Sequence, residues 1–126
     1  MTDVLRVSTE RLKEVVDLTE RIQSLIRRAK IRDGLCALFI THTTAALTTG
    51  EIGEGTEQDL LEVVEQIIPS IRFRHAHDPS HAWSHMAASI LGPSLTLPVR
   101  TDNWPWAPGN RCCWLNWTGR ANEPCV

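Results

Sequence analysis

All five histidines fall between residues 42 and 85, and imidazole is the side chain best suited to proton transfer and metal ligation near neutral pH. His42 ends an apolar run, and a strand that delivers one histidine at its tip is hard to explain by solvation alone. His75 closes the alternating stretch Ile71-Arg72-Phe73-Arg74-His75. His77, His81 and His85 recur every four residues, which aligns them on one face of a helix that starts early enough. Glu51, Glu54 and Asp78 are the nearby acids. One reading of the set is a shared metal or acid–base site with nitrogen and oxygen donors. The other is a run of exposed polar loops, and His81 taken alone fits that second reading. Lysines stop at Lys30, so no amine lies near these motifs for Schiff-base chemistry.

Hydrophobic periodicity supplies the elements that must position these rings. Leu18, Ile22, Leu25, Ile26 and Ala29 make one apolar stripe, predicting an amphipathic helix over residues 17–30. Arg27, Arg28 and Lys30 sit in its last turn, where the helix dipole favours cations. Asp33-Gly34 ends it. Residues 35–41 form a continuous apolar run of strand length, which predicts a strand buried on both faces. Gly50, Gly53 and Gly55 mark a loop. Thr56 then caps a second helix, with Leu60, Leu61, Val63, Val64, Ile67 and Ile68 expected on its buried side and Pro69 as its stop. Residues 71–75 read as a short strand and 81–91 as a helix ended by Gly92-Pro93. In the last clear strand, 94–100, Leu95, Leu97 and Val99 share a face and Pro98 signals an edge or bulge. With an opening strand over 3–8, strands and helices alternate, so the expected class is α/β or α+β.

The chain has 126 residues, which fits one domain spanning residues 1–126. Its net charge of -2 argues against a broad basic face for nucleic acid. No apolar run approaches membrane-spanning length, and the mixed-charge start lacks the apolar segment of a secretory signal, so the expected address is the cytoplasm. Of the four cysteines, Cys112, Cys113 and Cys125 crowd the end without a metal-type spacing, so neither a disulfide framework nor a zinc knuckle is expected.

Three segments carry a resemblance. They are His42-Thr43-Thr44-Ala45-Ala46-Leu47-Thr48, then Arg74-His75 with His77-Asp78, then the stretch from Ser84 to Val99 around Gly92-Pro93. Together they resemble the YjbQ family, also named secondary thiamine-phosphate synthases. The resemblance implies a compact single-domain α/β sandwich with a mixed sheet and about three helices, assembled as a trimer or hexamer. It implies a site where His42, His75 and His85 cluster, with Thr43, Thr44 and Ser89 beside them, often around a divalent metal (Zn or Mg) or an anion. Glu51 matches a family acid, although Gly50 stands where the family has Asn. Ala87 stands where the family usually has Lys or Arg. The implied activity joins a pyrimidine-methyl pyrophosphate to a thiazole phosphate with loss of pyrophosphate, with His42, His75, His85 and Glu51 as catalytic groups. The alternatives are a metal- or anion-binding oligomer without turnover and a metal-assisted phosphoester hydrolase. The partner is then a small phosphorylated substrate, with neither nucleic acid nor membrane.

Residues 103–126 depart from the family pattern. Trp104, Trp106, Trp114 and Trp117 crowd into them. Back-translating this tail and reading from the third base of each codon forces Leu at Asn103-Trp104, Ala at Trp104-Pro105, Gly at Trp106-Ala107 and Asp at Trp117-Thr118. The permitted string then restores, in order, the L-x-L-G-T-W-Q and L-x-E-x-D-G-P-R segments that the resemblance leads one to expect here. The tail therefore reads as a shifted frame. If it is expressed as written, one sheet edge is expected to stand open.

Overall fold

The computed structural model describes residues 1–75, 78–100, 110–116 and 122–125. His77, Trp104, Trp106 and Trp117, all singled out above, lie outside the described residues. The elements are β1 (Leu5–Ser8), β2 (Glu14–Asp17), α1 (Thr19–Arg28), β3 (Asp33–Phe39), β4 (Ala45–Glu51), α2 (Thr56–Ile67), α3 (Pro79–Leu91), β5 (Ser94–Arg100), β6 (Asn110–Asn116) and β7 (Asn122–Cys125). They form three ladders, β1-β7, β2-β6-β4 and β3-β5.

Every described pairing is antiparallel, which corrects the expected mixed sheet. Strands linked by a helix normally become parallel neighbours. Here β6 enters between β2 and β4, pairing Leu115 with both Val15 and Ala46. The strands that helices do link, β2 with β3 and β4 with β5, lie in different ladders. Residues 110–116 as written take the central place in that ladder, between β2 and β4.

Strand alternation divides the core in two. Ala45 and Leu47 of β4 join Leu18, which precedes α1, and Ile22 of α1, together with Leu38, Leu97 and Cys112. Ala46, one residue out of phase, joins Val64 of α2, Ala87 of α3 and Leu115. The sheet thus carries α1 on one face and α2 and α3 on the other, the layering an α/β sandwich requires. Ala87, where the resemblance implies Lys or Arg, is fully buried in the second cluster.

Several local expectations change. β3 is covered on one face only: Leu38 is buried while Leu35 is 76% and Phe39 49% exposed. Among the described residues its strand partner is β5. Residues 71–75 are not a strand. Thr56 does not cap α2: Gly55 holds that place at a left-handed φ of 95°, and the Thr56 hydroxyl donates to the Gly53 carbonyl instead. α3 begins two residues earlier than expected because Asp78 caps it, accepting from the Ser80 N–H at 2.9 Å with Pro79 in the first turn.

Candidate functional site

Three segments from distant parts of the chain meet at one end of the sandwich. The turn 42–44 leads from β3 into β4. The residues before α3 bring His75, and the second turn of α3 brings His85. The His75 and His85 rings stack with centroids 5.2 Å apart and planes 13° from parallel. His85 also reaches back to the turn, where its Nδ1 donates to the Thr43 carbonyl at 3.2 Å. Gly92-Pro93 fixes the far end of α3 against the sheet: the Gly92 carbonyl accepts from the Leu47 N–H at 3.1 Å and that of Pro93 from the Ile40 N–H at 2.8 Å.

Backbone groups dictate the tautomers, since an N–H only donates and a carbonyl only accepts. The Thr44 N–H donates to His42 Nδ1 at 3.2 Å, and the Thr44 hydroxyl lies 2.9 Å from the same nitrogen. A neutral His42 therefore carries its proton on Nε2. The Asp78 N–H donates to His75 Nδ1 at 3.3 Å, with the same consequence for His75. His85 is the reverse: its Nδ1 holds the proton and its Nε2 the lone pair. His42 and His75 thus each turn Nδ1 to a backbone N–H, whereas His85 turns its Nδ1 to a carbonyl.

That donor set can be compared with a metal. A ligating imidazole needs a lone pair on the bound nitrogen and usually donates its other N–H to a carbonyl or carboxylate. His85 has this arrangement through Thr43. His42 and His75 as placed do not, because binding through Nε2 would move their protons onto nitrogens already facing backbone N–H groups. Among the described residues, no three His, Cys, Asp or Glu side chains come together as ligands of one ion. As placed, the three rings do not present three lone pairs to one ion.

The remaining expected site residues take different places. Thr44 is 4% exposed and both its polar groups serve His42, so it positions that ring. Thr43 is exposed and its carbonyl serves His85. The Ser89 hydroxyl donates to the His85 carbonyl at 2.8 Å, one turn along α3. Glu51 is not brought to the cluster by its own chain. It ends β4, six residues beyond Ala45, roughly 20 Å along an extended strand. Asp78 is the acid that sits beside the rings. Its carboxyl is held below the usual carboxylate range by hydrogen bonds from the Ser80 hydroxyl and N–H, and by attraction to His81 and His75. His81 Nε2 lies 3.5 Å from it on the exposed side. The Asp-Pro-Ser start of α3 was the signal in the sequence for this role.

Residues 3–109 match the family model described as "UPF0047 protein YjbQ-like". A UPF0047 protein of Mycobacterium tuberculosis is 37% identical over 100 residues, covering 78% of this chain and 73% of its own length. A UPF0047 protein of Archaeoglobus fulgidus is 30% identical over 116 residues, 91% of this chain and 90% of its own. Among solved structures, a YbjQ-like protein of unknown function from Sulfolobus solfataricus superposes with a TM-score of 0.87 at 27% identity, covering 98% of this chain and 90% of that one. A YjbQ/UPF0047 family protein of Clostridium acetobutylicum gives 0.87 at 17% identity, over 99% and 97%, and so shares the fold. By the match over most of its length and by its fold, the chain belongs to the YjbQ (UPF0047) family.

Proposed function

We propose that the cluster of His42, His75 and His85 binds the phosphate groups of a small substrate and supports thiamine-phosphate synthesis. The single observation behind this is the tautomer pattern, two Nε2–H donors beside one imidazole lone pair. In the reaction, the bond between the pyrimidine methylene carbon and the pyrophosphate oxygen breaks, and the departing oxygen keeps the electron pair. A new bond forms from the thiazole nitrogen to that carbon. Negative charge develops on the leaving pyrophosphate, and donors placed beforehand stabilise it there. His42 and His75 supply such donors, and the exposed Thr43 hydroxyl adds a third. Thr44, Ser89 and Asp78 are positioning residues. The test is a thiamine-phosphate assay with His42→Ala, His75→Ala and His85→Ala. His42→Ala and His75→Ala each remove one charge-stabilising donor and are expected to lower turnover by about 10²–10³, and His85→Ala, which removes the imidazole stacked on His75, is expected to lower it as well. Activity that survives all three changes overturns the reading.

A second reading is a protein that binds a divalent ion (Zn or Mg) or an anion without turnover. The Nδ1–H of His85, backed by the Thr43 carbonyl, favours it, because that is how proteins orient a ligating imidazole. Metal content of the purified protein, with and without His85→Ala, decides whether an ion is held. On either reading the protein works in the cytoplasm as a homo-oligomer, a trimer or hexamer. Support comes from the uncovered outer face of β3, where Leu35 and Phe39 are exposed, and from the absence of a membrane-length apolar helix among the described residues.

A further inference from the structure

At the other end of the β3-β5 ladder the chain builds a second, basic cleft. Four cations from three elements line a cavity of about 500 Å³: Arg27 of α1, Lys30 and Arg32 of the turn that follows, and Arg100 at the end of β5. Ile26 and Ile31 line the same cavity. Asp33 faces Arg100 across the ladder, yet among the described residues no ion pair joins any of the four cations to a carboxylate. In a chain whose net charge is -2 this is a local concentration of unneutralised positive charge.

The turn that makes the cleft is specific. The Lys30 N–H donates to the Arg27 carbonyl and the Ile31 N–H to the Ile26 carbonyl, at 3.0 and 3.3 Å. This pair of bonds closes a helix whose next residue is left-handed, a seat usually filled by glycine. Lys30 occupies it at a φ of 55°. The turn brings Ile31 and Arg32 to the same cavity as Ile26 and Arg27. It also occupies two of the helix-end carbonyls that would repel an anion.

We infer that this cleft binds a small polyphosphate ligand of the nucleoside diphosphate class, separate from the histidine cluster. Three or four negative charges match the four cations, with arginine suited to phosphate oxygens. The volume lies within the range of small-molecule sites. The two isoleucines offer an apolar wall for a base or sugar face. Six residues of β5 separate Arg100 from Ser94, roughly 20 Å, and Ser94 follows the Gly92-Pro93 corner on the histidine side. The inference therefore does not depend on the chemistry proposed above.

The test is calorimetric titration of the full chain with ADP, and separately with inorganic pyrophosphate, at low and at physiological salt. ADP is expected to bind more tightly than pyrophosphate, and both should weaken as salt rises. Arg32→Gln combined with Arg100→Gln should weaken ADP at least tenfold, whereas His85→Ala should leave it unchanged. Lys30→Gly gives an independent arm. It relieves the left-handed seat while removing a cation, so the melting temperature should rise as ADP affinity falls. No ADP binding, unchanged affinity in the double variant, loss through His85→Ala, or preference for an acidic peptide or oligonucleotide over ADP would each overturn the inference.

Discussion

Asp17 shows how one carboxylate ties the late strand β6 to the early part of the chain. Its Oδ1 accepts from the Thr19 N–H at 2.8 Å and its Oδ2 from Arg111 Nε at 2.7 Å. The Thr19 hydroxyl in turn accepts from the Cys112 N–H at 2.9 Å. Burial pushes the Asp17 carboxyl up, but the Thr19 hydrogen bonds and the Arg111 guanidinium outweigh it and hold it below the usual carboxylate range. Its folded value lies below its unfolded one, so its contribution is present above the ordinary Asp value of about 3.9 and fades as pH falls through the lowered folded value. Asp17→Asn should lower stability at pH 7 by about 1 kcal/mol, discounted for the half-exposed Arg111. The difference from the parent should shrink as pH falls below about 4. Urea titrations of both proteins across that range measure it, and a difference that grows toward acid would contradict the assignment. At the cluster, the same kind of reasoning makes Thr44 a support for His42. Thr44→Val keeps the backbone N–H but removes the hydroxyl, so it should weaken turnover less than His42→Ala does.

At the scale of elements, the corner between α3 and β5 holds the site end of the sandwich. Gly92 has φ 103° and ψ 148°, a conformation essentially reserved for glycine. A Cβ there would meet nothing within 4 Å. The expected effect of Gly92→Ala is therefore purely conformational, a loss of about 1–3 kcal/mol by denaturant titration. A neutral result would show that the corner relaxes. Gly92-Pro93 was plain in the sequence as a helix stop, and so was β5 by its alternation. The amphipathic stripe of α1 was equally legible. Other elements were not. β4 is spelled Ala45-Ala46-Leu47-Thr48-Thr49-Gly50-Glu51, whose alanines and glycine carry little strand preference. Its register is imposed by β6, and pairing that distant leaves no local trace. Residues 71–75 alternate like a strand but pair with no strand among the described residues. The histidines at 42, 75 and 85 were legible as chemistry by type and position. Their hydrogen-bond partners were not, because the Thr43 carbonyl and the Thr44 and Asp78 N–H groups acquire roles only from the fold. Glu51 shows the opposite failure: near His42 in sequence, it is carried away by the strand between them.

At the scale of the whole molecule, the late strands complete the sandwich: β6 joins β2 to β4 and β7 pairs β1. The buried Cys112 and Leu115 belong one to each core cluster, so β6 ties both faces together. The reading of residues 103–126 as a shifted frame predicts that the protein made from the native gene differs in mass from the 14.2 kDa of this sequence. Intact mass spectrometry with sequencing of the gene settles it, and an unchanged mass from an in-frame gene would end that reading. The account as a whole rests on three rings sharing one anion-binding place with fixed tautomers. Long-range ¹H–¹⁵N spectra of the histidine side chains, recorded as inorganic pyrophosphate is added, test it most directly. The account predicts that neutral His42 and His75 are protonated at Nε2 and His85 at Nδ1, and that all three shift together while exposed His81 responds little. Three rings that titrate independently, or do not respond to the anion, would contradict it.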